Sequence, residues 1–117
     1  MNRQVWSYPT DSGLLAGEDV TGYRVEAADG PIGQVEAVLD REEQRSLIVD
    51  TGTWIFGRRV VVPAGAVSRV DGPSRTVRVA RTKDEVKAAP AFERNDDDFW
   101  ARLGSYYGGF PGYGPLG

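Results

Sequence analysis

Apolar and polar residues alternate along the middle of the chain with a period of two, and Gly, Pro, Asp and Ser interrupt the alternation at short intervals. Tyr23, Val25 and Ala27 alternate with Arg24, Glu26 and Ala28, the pattern of a strand with one face buried. Asp29-Gly30 supplies the residues of a tight hairpin turn, just before Pro31. The next strand, Ile32 to Leu39, puts Val35, Ala37 and Leu39 on one face and Gln34 and Glu36 on the other. Ile32 has the opposite parity to Val35, so for both to be core an extra residue must be absorbed between them. Gly33, lacking a Cβ, is the place for that bulge.

Asp40 to Gln44 reads as a charged turn and Ser46 to Thr51 as a third strand, with Leu47 and Val49 pointing one way and Ile48 the other. A loop from Gly52 to Gly57 precedes Val60-Val61-Val62, which reads as a central strand buried on both faces and stopped by Pro63. Ala64-Gly65-Ala66 is a short connection to a strand over Val67 to Asp71. Gly72 to Arg75 then turns the chain into Thr76 to Ala80. Six short strands predict a mainly β fold, a small six-stranded antiparallel barrel that leaves no exposed edge. After Arg81 the period changes: Thr82 with Glu85 three residues on is a capping-box signature, opening a short closing helix that Pro90 ends.

The ends differ from the middle. Residues 1–19 form an approach segment in which Leu14 and Leu15, with Val20 just beyond, are candidates to cover a barrel edge. Residues 20–90 form the barrel, and 91–117 hold a short C-terminal helix and a Gly, Pro and aromatic tail. Asn95 as cap, Asp96, Asp97 and Asp98 in the first turn and Gly104 as the stop predict that helix. Its apolar stripe is Phe99, Leu103 and either Tyr106 or Tyr107. Beyond it, Tyr106 to Gly117 has too little side-chain volume to fold unless it docks onto something.

Four segments in this order, Gly22-Tyr23-Arg24-Val25, Asp29 to Val35, Val60-Val61-Val62-Pro63 and Thr82 to Val86, resemble the PRC-barrel family over residues 20 to about 90. The threonine-led turn that closes the domain is the most specific part of this resemblance. The resemblance implies a PRC-type β-barrel, a fold shared by the H subunit of the photosynthetic reaction centre and a bacterial ribosome-maturation factor. It further implies a protein-docking role with no common catalytic site.

Composition narrows the chemistry. At 117 residues the chain has neither cysteine nor histidine, which removes disulfides, thiolate metal sites and the commonest general base and zinc ligand. Asp96-Asp97-Asp98 lacks the alternating spacing of a calcium loop, and helix-start chemistry accounts for it. Gly30 and Gly33 match no phosphate-binding pattern, and Ser68, Ser74 and Ser105 have no histidine to activate them. No catalytic residue, metal ligand or cofactor site is expected, and the chain is read as a non-enzyme. The net charge of -3 argues against a nucleic-acid binder held by phosphate neutralisation. A polar N-terminus and the absence of a long apolar run lead to the expectation of a cytoplasmic chain without a membrane span.

Two groups are candidates for interaction. Trp54 and Phe56 beside Arg58 and Arg59 offer rings with positive charge, the competing reading being a ring that plugs the barrel end. Phe99, Trp100, Leu103, Tyr106, Tyr107 and Phe110 form an aromatic constellation suited to an interface, or else packed over the barrel's own surface. The expected function is a non-enzymatic protein-interaction or assembly module that self-associates, with a homodimer as the simplest form. Two other functions are compatible with the resemblance: a ribosome- or RNA-associated factor, and a small-ligand barrel, although Val35, Leu47, Val61 and Val77 would fill its interior.

Overall fold

The structure, a computed structural model, describes residues 3–6, 8, 19–41, 44–52, 59–90, 92 and 98–109. Six strands follow one another: β1 (Arg24–Ala27), β2 (Gly30–Arg41), β3 (Gln44–Asp50), β4 (Arg59–Pro63), β5 (Val67–Asp71) and β6 (Thr76–Val79). Two helices close the order, α1 (Lys83–Ala88) and α2 (Phe99–Gly108), and two 3₁₀ turns stand at Arg3–Trp6 and Ala64–Ala66. The fold is mainly β, as the alternation predicts. The strands form one sheet in the order β4-β3-β2-β1-β6-β5.

The expected all-antiparallel closed barrel is corrected in two respects. β1 and β6 pair in parallel, with Val25 opposite Val77, and β4 and β5 lie at opposite edges of the sheet with no ladder between them. Both follow from the Ala64–Ala66 turn. β1 to β4 reverse direction at every step, and β5 is antiparallel to β6, so the parallel pairing of β6 with β1 means that β5 runs in the same sense as β4. The turn carries the chain onward instead of reversing it, and β6 therefore returns alongside β1 with β1's own direction.

The same turn forces the sheet to curl. Laid flat, six strands about 4.8 Å apart would separate the two edges by about 24 Å. Pro63 and Val67 are only four residue steps apart, a reach of at most about 15 Å. The edges must approach each other at this corner, where the backbone of Ala80 donates to the carbonyl of Ala66 at 2.8 Å and carries the β5–β6 pairing into the turn. Val60, Val61 and Val62 are all buried, as expected, but they belong to an edge strand and not a central one. Pro63 is tolerated because an edge strand has one ladder fewer to satisfy.

Val25, Val35, Leu47, Val49, Val60, Val62, Val77 and Val79 form a continuous core with Val86 of α1. Ile32 and Val35 are both buried, and the β1–β2 register skips Ile32 between Pro31 and Gly33, so the bulge read from the sequence is present. A second bulge was not foreseen. The β2–β3 register skips Glu36, which pairs Ala37 with Ile48 and Val38 with Leu47. Val38 therefore takes the core face, and the expected grouping of Val35 with Ala37 and Leu39 is corrected.

α1 forms where the capping box predicts it. The Thr82 hydroxyl accepts from the Glu85 N–H at 3.1 Å, and the Glu85 carboxylate accepts from the Thr82 N–H at 2.8 Å. Asp29, in the β1–β2 turn, accepts from the Lys83 N–H at 2.7 Å and so fastens the start of α1 to that hairpin. The helix then packs against β2 and β4, which are not neighbours in the sheet, and thereby lies across the curl.

Gly33 is where β2 comes closest to the end of β3. A Cβ there would run into the carbonyl oxygen of Asp50, lie 2.9 Å from its carbon and stand at a φ of +152°. Gly22, at a φ of +88°, has open space around it. Gly33→Ala is expected to destabilise by at least about 2 kcal/mol in urea unfolding, against about 1 kcal/mol for Gly22→Ala. Equal costs would mean that the close approach to Asp50 is unimportant.

Candidate functional site

α2 is amphipathic by spacing. Phe99, Leu103 and Tyr107 recur every four residues and so share one face of a 3.6-residue helix. All three are buried, at 0%, 0% and 1% exposure, which also decides between Tyr106 and Tyr107 as the third member of the stripe. They join the core cluster together with Val5 of the N-terminal turn. Three of the sequence-selected residues thus serve the chain's own interior.

The helix begins at Phe99 with Asp98 at the cap position, so Asp98, expected within the first turn, stands just before it. Asn95, Asp96 and Asp97 lie outside the described residues, as do Trp54, Phe56, Arg58 and Phe110. Gly104 does not stop the helix, which runs on to Gly108. The indole of Trp6 lies against Gly104, where a Cβ would be 3.1 Å from the ring, so at this position glycine makes room for a neighbouring side chain.

Trp6 and Phe92, which sequence reasoning missed, join Phe99 and Trp100 in an aromatic cluster. The Trp6 ring lies 6.0 Å from that of Trp100, which is 5.1 Å from Phe99 and 6.4 Å from Phe92. Phe92 and Phe99 are 5.5 Å apart, edge to face. The one available signal was the apolar pair Val5-Trp6 inside an otherwise polar opening. On the other flank of α2, the Tyr106 hydroxyl donates to the Glu85 carbonyl oxygen at 2.6 Å and ties α2 to α1. Burial pushes the Tyr106 phenol above its ordinary pKa, the Glu85 carboxylate adds to the shift and Arg81 opposes it.

The outward face of α2 carries Ala101, Arg102 and Ser105, all exposed. A groove of about 690 Å³ runs along one side, between α2 and the end of α1, lined by Ala88, Pro90, Asp98, Arg102 and Tyr106. A second, of about 430 Å³, runs along the other side, lined by Val5, Trp6, Gln44, Trp100 and Gly104. Ala101 and Ser105 border both, so the helix is a low ridge between two channels. Side chains this short let another backbone approach closely, and the half-buried Trp6, Trp100 and Tyr106 supply apolar walls.

Elsewhere three ion pairs are formed among the described residues. Arg59 donates to Glu36 at 2.6 Å, Arg45 to Asp40 at 2.9 Å and Arg78 to Glu26 at 3.4 Å. Arg59, expected to add charge to the Trp54 loop, is engaged instead with β2. No group of three or more metal-ligating side chains occurs among the described residues, and none of their helices is long and apolar enough to cross a membrane.

Tyr106→Phe removes one bond between the helices and is expected to cost about 1 kcal/mol in thermal or urea unfolding, with the fold retained. An unchanged stability would mean that the bond contributes nothing. Tyr8 gives a pH test: burial, with a smaller push from Asp40 against a pull from Arg45, raises its phenol to about 12 from an ordinary value of 10.0. Its contribution to stability is complete below about pH 10, where the unfolded chain also keeps the proton, and is lost as pH rises through about 12. Titration by tyrosinate absorbance should show this late-ionising group and Tyr8→Phe should remove it; an unaltered titration would contradict the assignment.

No family model matches this sequence, and no curated protein matches it either.

Proposed function

We propose that this chain is a non-enzymatic protein-docking module whose docking surface is the outward face of α2 with the grooves on either side. One observation carries the reading: α2 spends its whole apolar stripe on the chain's own core and still has an open groove along each flank of its exposed face, the one beside α1 mostly apolar. The resemblance of residues 20 to about 90 to the PRC-barrel family supports the same reading, since docking is the use that family's members share. The matched charges of Arg45, Arg59 and Arg78 favour a protein partner over a nucleic acid, whose binding needs cations gathered on one face.

Photo-crosslinking in cells that express the chain tests this directly. A photoreactive residue at Ala101 or Ser105 should yield discrete protein adducts, and one at Ser68, exposed on β5, should not. Adducts at Ser68 alone, or at none of the three, would overturn the reading. Adducts abolished by nuclease would replace it with an RNA-binding role.

A further inference from the structure

We infer that the chain's own C-terminal segment, Tyr113 to Leu116, lies in the groove between α2 and the end of α1, covering part of the docking surface until a partner displaces it. The occupancy is argued from the groove; its regulatory sense rests on the docking reading above. Ala88, Pro90, Ala101, Ser105 and Tyr106 give this groove a mostly apolar wall, and Asp98 and Arg102, at its far end, already interact within the chain. An occupant therefore needs apolar side chains and no charge. Phe110 to Leu116 carries two aromatic rings, a leucine and no charged residue. The groove on the other flank, beside Trp6 and Gln44, is the more polar of the two and suits this segment less.

The place where the described residues end selects the segment. The Gly109 N–H closes α2 on the carbonyls of Ser105 and Tyr106, at 3.2 and 3.3 Å, and the groove starts one turn back, at Tyr106. To enter it the chain must reverse just past Gly109. Phe110-Pro111-Gly112-Tyr113 has the residues of a type II turn: Pro111 fixes φ at the second position and takes Phe110 out of the helical region, and Gly112 accepts the positive φ of the third. Such a turn sends Tyr113 back along α2. From Tyr106 to Asp98 the helix rises about 12 Å, and Tyr113 to Leu116, kept extended by Pro115, covers about 9 Å at polyproline spacing. With three residues per turn Tyr113 and Leu116 share one side, so both enter the groove together. Ala88, Ala101 and Ser105 are small and exposed, which leaves room for a chain lying along them. The tether from Gly109 is short, so the segment meets the groove at an effective concentration of the order of mM, and a weak contact suffices to fill it.

The chain has no cysteine, so one pair can be introduced without competing thiols. The test compares disulfide closure in the full chain between Gly114→Cys and Ala88→Cys, in this groove, with closure between Gly114→Cys and Gln44→Cys, in the other, in one glutathione buffer. The Ala88 pair should close at least about 10-fold faster, within a single chain, and adding Tyr113→Ser with Leu116→Ser should remove the difference. Equal rates, a faster Gln44 pair, a difference that survives the two serines, or a bond between two chains overturns the inference. The two serines alone should also raise the protein adducts of a photoreactive residue at Ala101 at least about 3-fold, because the partner no longer competes with the segment; unchanged adducts overturn the regulatory sense. If the Ala88 pair closes faster and Ala101 gives no adduct in either form, the segment's place stands and the docking reading fails. If the two pairs close equally and the adducts form, the inference fails and the docking reading stands.

Discussion

Burial of Phe99, Leu103 and Tyr107 is the constraint on which the rest of the molecule depends. A curled sheet of short strands has little interior of its own, and three large side chains withdrawn from water contribute on the order of 5 kcal/mol, comparable with the whole net stability of a small domain. The stripe also fixes what the helix can do next. With one face committed inward, only Ala101, Arg102, Ser105 and their flanks remain to meet anything outside. The N-terminal turn depends on the same burial, because Val5 and Trp6 pack where α2 places Phe99 and Trp100.

The second constraint is topological. The three residues between β4 and β5 carry the chain onward and are too few to span a flat sheet, so the sheet curls and its edges approach without pairing. An unpaired edge invites foreign strands unless something blunts it. Here Pro63 interrupts the donor row of β4, and α1, capped at Thr82 and fastened to the β1–β2 turn through Asp29, packs against β4.

The sequence was most legible where a local rule decides the outcome. Alternation and short apolar runs located all six strands, the parity conflict between Ile32 and Val35 located the bulge, and Thr82 with Glu85 located α1. It was least legible where distant segments decide. The parallel pairing of β1 with β6 depends on the sense in which the Ala64–Ala66 turn leaves β4, and no residue type encodes that sense. Val60 to Val62 read as central because burial and ladder position are separate properties that one apolar run cannot distinguish. The bulge at Glu36 had no glycine to betray it. Gly104 read as a helix stop because its actual neighbour, Trp6, is almost a hundred positions away in the chain. At the candidate site, spacing foretold the stripe of α2, whereas the grooves beside it needed Trp6, Pro90 and Ala88, which only the fold brings there.

The account stands on α2 being part of the folded core and not an arm laid upon it. Native-state amide hydrogen exchange measures this most directly, because each amide reports the free energy of the opening that exposes it. The account predicts that the amides of Leu103 and Tyr107 exchange with the same free energy as those of Leu47 and Val49 in β3, that is, only on global unfolding. Exchange of the α2 amides through a local opening several kcal/mol easier than that of β3 would contradict it.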